Sequence, residues 1–124
     1  MTLRHTSIRV ADVETTVDFY ADLVGYEVLR EFETDDGTRN VFVGDPADED
    51  TDDPAALQLV EADGPVDTGD FEHVAVTVED VDAALDGLDD ERVDDGPITM
   101  AEFDSRVAFI TGPEGWGVEL VEDL

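Results

Sequence analysis

The sequence predicts an α+β fold built from two βαβββ modules in tandem. Three observations carry this reading. The chain repeats itself: LRHTSIRVADV (3–13) aligns with FEHVAVTVEDV (71–81) at a constant offset and without a gap. Each copy opens on a period-two alternation that gives way to a helical period. Each copy also closes on a similar segment, AALQLVEA (55–62) in the first and GVELVED (117–123) in the second.

The elements follow in order. In the first copy Thr6, Ile8 and Val10 alternate with His5, Ser7 and Arg9, the pattern of a half-buried strand. Asp12 is the expected N-cap of a helix whose buried side is marked by Val13, Val17, Tyr20 and Val24. Two strands are expected over 27–34 and 38–44, with Asp35-Asp36-Gly37 as the hairpin turn. In the second copy Val74, Val76 and Val78 alternate with His73, Ala75 and Thr77. Asp80 is the matching cap, and Val81, Leu85 and Leu88 mark the helix. The remaining strands are expected near 91–94 and 106–111, with Gly112-Pro113-Glu114-Gly115 turning into the last strand. The modules therefore run over about 1–64 and 69–124 of a single domain. The first is longer by about seven residues, which fit the Asp- and Pro-rich stretch GDPADEDTDDPA.

Composition narrows the function. There are 35 acidic residues against six arginines and no lysine, a formal net charge of −29. The acids are interleaved with regular hydrophobic periodicity, so the reading is a folded domain with an acidic surface, of the kind extreme halophiles make. Nucleic-acid binding is disfavoured, because no basic patch meets phosphates. Cysteine is absent, which excludes disulfides, thiolate metal sites and cysteine catalysis. No apolar run approaches the roughly 20 residues of a membrane span, and no signal-peptide pattern opens the chain. A cytoplasmic location is expected.

The only two histidines, His5 and His73, occupy matching places in the two copies. If the apolar set of each first strand faces the helix, both imidazoles face the other side of their sheets. The last strands align Gln58 with Glu119, and the same alternation puts these two on the histidine side. Two imidazoles, an amide oxygen and a carboxylate make a donor set suited to Zn, Ni, Co, Mn or Fe(II). A histidine in a strand is more often structural than a ligand. Two coincidences, the histidine pair and the Gln/Glu pair, weigh against that reading here.

At these residues the chain resembles the vicinal oxygen chelate superfamily, whose paired βαβββ modules form a metal-holding cup (the glyoxalase/bleomycin resistance/dioxygenase fold). LRHTSIRVADVETTVDFYADLVGYEVLR is similar to the opening of the short bacterial type of glyoxalase I. FEHVAVTVEDV and AFITGPEGWGVELVE are similar to its second module. The resemblance implies metal ligands at His5, Gln58, His73 and Glu119, with Glu119 as the catalytic base. It implies a substrate-binding role for Arg9, whose counterpart helps hold glutathione, and a homodimer in which the cup forms across two chains. It implies conversion of a methylglyoxal–thiol hemithioacetal to a lactoyl thioester. Gln58 departs from the Glu usual in the bacterial enzyme and matches the set of methylmalonyl-CoA epimerases. Ala62 and Thr99 or Met100 stand where glutathione contacts are expected, so a thiol such as γ-glutamylcysteine is an alternative to glutathione.

An epimerase needs a second acid, for which Glu33, Asp35 and Asp36 are the candidates. An Fe(II) extradiol dioxygenase would use His5, His73 and Glu119 as its triad. A sequestering protein without catalysis is the non-enzymatic alternative. The Asp45 to Asp53 stretch lacks the turn Gly and terminal Glu of a calcium loop and reads as a solvated acidic loop. Trp116, Phe103, Phe19 and Tyr20 are expected to pack.

Overall fold

The computed structural model describes residues 5–48 and 56–124. The chain divides into two compact units, Met1–Asp67 and Thr68–Leu124. Most of the acidic stretch between Asp45 and Asp53 lies outside the described residues.

The first unit contains β1 (His5–Val10), α1 (Val13–Val24), β2 (Glu27–Glu33), β3 (Arg39–Gly44) and β4 (Ala56–Glu61). Its sheet has the order β1-β4-β3-β2. The β1/β4 pair is parallel and the other two are antiparallel. The second unit contains β5 (Val74–Thr77), α2 (Val81–Asp86), β6 (Val93–Met100), β7 (Ser105–Thr111) and β8 (Gly117–Asp123). Its order is β5-β8-β7-β6, with β5/β8 parallel. Both units are thus βαβββ modules of one topology, as the repeat requires.

An aspartate caps the start of each helix. Asp12 accepts from the Thr15 N–H at 3.0 Å and Asp80 from the Ala83 N–H at 3.1 Å. α1 ends at Gly25, whose φ of +70° suits glycine at the closing turn. The buried stripe of α1 is Val13, Thr16 and Tyr20, while Val17 and Val24 are only half-buried. Thr16 tolerates full burial because its hydroxyl donates to the Asp12 carbonyl at 2.9 Å. α2 is shorter than its hydrophobic pattern suggests. It stops at Asp86, ahead of Gly87, so Leu88 lies beyond it and Leu85 is half-buried.

The strand expected near 91–94 is displaced. A 3-10 turn occupies Asp90–Arg92, and β6 then runs on to Met100. The Gly96-Pro97 pair reads as a breaker, yet the strand absorbs it as an irregularity between Asp95 and Ile98. Gly96 has a φ of +91°, and a Cβ there would lie 2.8 Å from the Val107 carbonyl oxygen.

Helix-facing side chains form both cores. Leu57, Leu59 and Val10 are buried in the first unit, and Val76, Val118 and Leu120 in the second. Tyr20 is fully buried and Phe19 half-buried. Trp116 packs as expected, its indole filling the space a Cβ at Gly112 would need. Phe103 does not pack: it sits in the 3-10 turn Ala101–Phe103 and is 67% exposed.

Candidate functional site

The first half of the site is the sheet face turned away from α1. On β1, His5, Ser7 and Arg9 are exposed while Val10 is buried, so the imidazole side is the predicted one. Register then builds the face. Ser7 pairs with Gln58, Gln58 with Phe42, and Phe42 with Arg30, making one row across all four strands. The His5 ring meets the Phe42 ring edge-on at 5.4 Å between centroids. The guanidinium of Arg30 lies over Phe42 at 4.5 Å and over Phe32 at 5.7 Å, while Phe32 stacks on Phe42 at 6.1 Å.

Hydrogen bonds hold Gln58. The Ser7 hydroxyl donates to its Oε1 at 2.6 Å. Its Nε2 donates to Asn40 Oδ1 at 2.9 Å. Asn40 Nδ2 in turn donates to the Thr38 carbonyl at 3.1 Å. Asn40 is only 4% exposed, so the relay is shielded from water at its Asn40 end, while the Ser7 end is exposed.

The second half repeats the arrangement. His73 immediately precedes β5, and Ala75 pairs with Glu119, which pairs with Phe109. The His73 ring meets the Phe109 ring edge-on at 5.5 Å, nearly the distance of the first half. Gly117 pins the histidine: a Cβ there would fall 2.4 Å from the Glu72 carbonyl oxygen and 3.2 Å from His73 Cβ. His73 Nδ1 is buried without a hydrogen-bond partner among the described residues. The Glu72 carboxylate, 3.9 Å away on an 89% exposed side chain, is too far to serve. Ala75 and Val107 stand where the first module has Ser7 and Asn40, and neither side chain can hydrogen-bond. Glu119, half-buried, therefore has no relay like that of Gln58 among the described residues.

Other charged groups are already engaged. Arg39 bridges Glu14 on α1 and Glu31 on β2, which fixes the helix side of β2. Glu33 shares that side by alternation, facing away from His5. Asp36 belongs to the hairpin turn: its carboxylate accepts from the Thr34 hydroxyl and, at 3.0 Å, from the Thr38 N–H. Those bonds pull its pKa down to about 2. The carboxylate that register does put on the histidine face is Glu27, paired with Gly44 at the start of β2. Asp80, Asp82 and Glu122 lie within 4.8 Å of one another, apart from the predicted ligands. Asp80 caps α2, Glu122 accepts from the Val81 N–H, and Asp82 takes both bonds from Arg106. The guanidinium holds the Asp82 carboxyl below its usual range.

Of the described arginines, Arg39 and Arg106 are ion-paired and Arg92 donates to the Thr111 carbonyl. Arg9 and Arg30 form no ion pair or hydrogen bond among the described residues. Both lie on the face that carries His5.

Ser7, Asn40, Arg30 and the Phe42/Phe109 pair escape the sequence reading. The phenylalanines had a signal, since VFVG (41–44) and AFIT (108–111) align in the repeat.

Comparison with known proteins decides the family. The model of the Glyoxalase/Bleomycin resistance protein/Dioxygenase superfamily matches residues 2–120. The chain belongs to this superfamily. A relative from Synechocystis, named a probable lactoylglutathione lyase, is 31% identical and spans 98% of this chain and 95% of its own. Among solved structures, the trypanothione-dependent glyoxalase I of Leishmania major matches with a TM-score of 0.74. It is 25% identical and covers 99% of this chain and 87% of its own. An antibiotic binding protein from Streptomyces sp. CB03234 matches with a TM-score of 0.71. It is 25% identical and covers 100% of this chain and 97% of its own. No helix of the described residues is long and apolar enough to cross a membrane.

Proposed function

We propose that this chain is a metal-dependent lyase of the glyoxalase I type, isomerising the hemithioacetal of methylglyoxal and a small thiol to a lactoyl thioester. The observation that carries the reading is the duplicated half-site. Each module presents one imidazole, seated edge-on against a matching phenylalanine, and one oxygen donor on the neighbouring strand of the same face.

The residues fit a divalent ion. His5, Gln58, His73 and Glu119 would hold it, and the buried His73 Nδ1 has no hydrogen-bond partner among the described residues that would commit the imidazole elsewhere. A bound ion would supply Lewis acidity toward a substrate oxygen and so acidify the neighbouring C–H. In this reading the halves belong to two chains of a homodimer, His5 and Gln58 of one meeting His73 and Glu119 of the other.

Glu119 takes the proton from the thiol-bearing carbon and returns it to the adjacent carbon, the two oxygens exchanging the remaining proton. Gln58 has no basic atom at neutral pH and orients without titrating. Arg9 and Arg30, which have no carboxylate partner among the described residues, attract the carboxylates of the thiol. The Leishmania relative is named for its dependence on trypanothione, which supports a reading in which the thiol need not be glutathione.

The test is Glu119→Gln. It is expected to keep the fold and lose at least about 10²-fold in turnover, and near-normal turnover would remove Glu119 from the chemistry.

A second reading, a methylmalonyl-CoA epimerase-like enzyme, is favoured by Gln58 and by Glu27, the acid that register puts on the histidine face. Exchange of the substrate α-proton with solvent without thioester formation would bring it forward.

A further inference from the structure

We propose that Asn40 and Ser7 are positioning residues that lock Gln58 as a neutral oxygen donor and select glutamine over glutamate at this place. The inference rests on the reading of Gln58 as a ligand.

One atom in the relay has no choice of role. The Thr38 backbone carbonyl can only accept, so the Asn40 side chain must turn Nδ2 toward it. Asn40 Oδ1 is then left facing Gln58, and an oxygen there demands a donor. Gln58 must answer with Nε2, which turns Oε1 to the other side, where the Ser7 hydroxyl donates to it at 2.6 Å. One backbone carbonyl thereby sets the orientation of two amides and a hydroxyl. One lone pair of Oε1 remains for a ligand.

A glutamate at 58 breaks the relay. It would put a carboxylate oxygen against Asn40 Oδ1, two acceptors at hydrogen-bond distance in a shielded spot. Asn40 can relieve this only by turning its amide and abandoning Thr38. Either outcome sets two acceptor oxygens against each other, because the Thr38 carbonyl keeps the Thr34 N–H but would then face Asn40 Oδ1. The second module supplies the contrast: at the positions of Ser7 and Asn40 it has Ala75 and Val107, whose side chains neither accept nor donate. The amide is held where holding is useful, and the carboxylate is left free where a base must move.

Two substitutions test this. Asn40→Leu keeps the volume and removes the acceptor. Four proteins are compared: wild type, Gln58→Glu, Asn40→Leu and the double variant. In the metal-free proteins the side-chain amide resonances of Gln58 and the melting temperature are read. The wild type is expected to show Gln58 Nε2 protons protected from exchange, and Asn40→Leu to lose that protection at least about tenfold. Gln58→Glu is expected to melt below wild type, and Asn40→Leu to remove most of that penalty in the double variant. Affinity for Ni or Co is then measured calorimetrically. Gln58→Glu alone is expected to bind no tighter than wild type despite its added charge, and the double variant at least about tenfold tighter than the single one. If Gln58→Glu melts like wild type, or if its penalty is the same in the Asn40→Leu background, the relay does not select the amide and the proposal fails. If the wild type binds no metal, the functional reading fails, and the metal-free comparison still judges the relay.

Discussion

Adding one methyl group at Gly117 tests how His73 is held. An ideal Cβ at this position falls 2.4 Å from the Glu72 carbonyl oxygen, and real Cβ contacts essentially never come under 3.0 Å. The Glu72 backbone, just ahead of β5, must therefore move away from β8 by roughly 0.6 Å, because the obstacle is main chain and cannot rotate away. The same Cβ sits 3.2 Å from His73 Cβ, so the displacement passes to the imidazole. Gly117→Ala is expected to cost about 1–3 kcal/mol, the usual range for overpacking, or a fall in Tm of roughly 4–15 °C. Metal affinity should fall at least about tenfold, since ligand sets tolerate only about 0.5 Å of error. The control is Gly64→Ala, where a Cβ meets nothing within 4 Å, and its effect should stay within about 0.5 kcal/mol. Thermal melts of the metal-free proteins and calorimetric metal titrations read both effects. A Gly117→Ala protein that melts and binds metal like the Gly64→Ala control would refute the claim that this close approach seats the histidine. The first module carries Ala56 opposite His5, so the constraint belongs to the second module.

The net charge of −29 predicts strong stabilisation by salt, because the Debye length falls from about 10 Å at roughly 0.1 M to about 3 Å at roughly 1 M; a Tm unchanged between these concentrations would contradict it. Asp36, with its folded pKa lowered to about 2, stabilises the hairpin above its unfolded pKa and loses that effect as pH falls toward 2. The Tm difference between wild type and Asp36→Asn should accordingly shrink as pH drops from about 5 to about 2, and a constant difference would refute the linkage. Replacing both Arg9 and Arg30 with Gln should raise KM for an anionic thiol adduct at least about tenfold and leave kcat within about threefold; an equal loss in kcat would place them at the chemistry instead.

The repeat made the fold legible. A constant offset fixes two copies of one topology, and period-two alternation puts His5, Gln58, His73 and Glu119 on the faces away from the helices, where the structure has them. Boundaries were less legible where chain-breaking residues are absorbed, as at Gly96-Pro97 in β6, or where a short helix stops at Gly87 before its pattern ends. Thr16 escaped because a hydroxyl satisfied by its own turn can be buried like a valine. Ser7, Asn40 and Arg30 escaped for a different reason. Their importance comes from cross-strand register, and register with a partner strand distant in sequence is not written in any local period. Of the candidates for a second acid, Glu33 lies on the helix side of β2 and Asp36 is tied into the hairpin turn, because alternation and the demands of the turn override nearness in sequence.

The proposed activity stands or falls on a thioester assay of metal-free protein reloaded with Ni, Co or Zn in high salt, with methylglyoxal and either glutathione or γ-glutamylcysteine. Thioester formation is expected only after metal is restored, and none from Glu119→Gln. Stoichiometric metal binding with no thioester from either thiol would contradict the proposed activity.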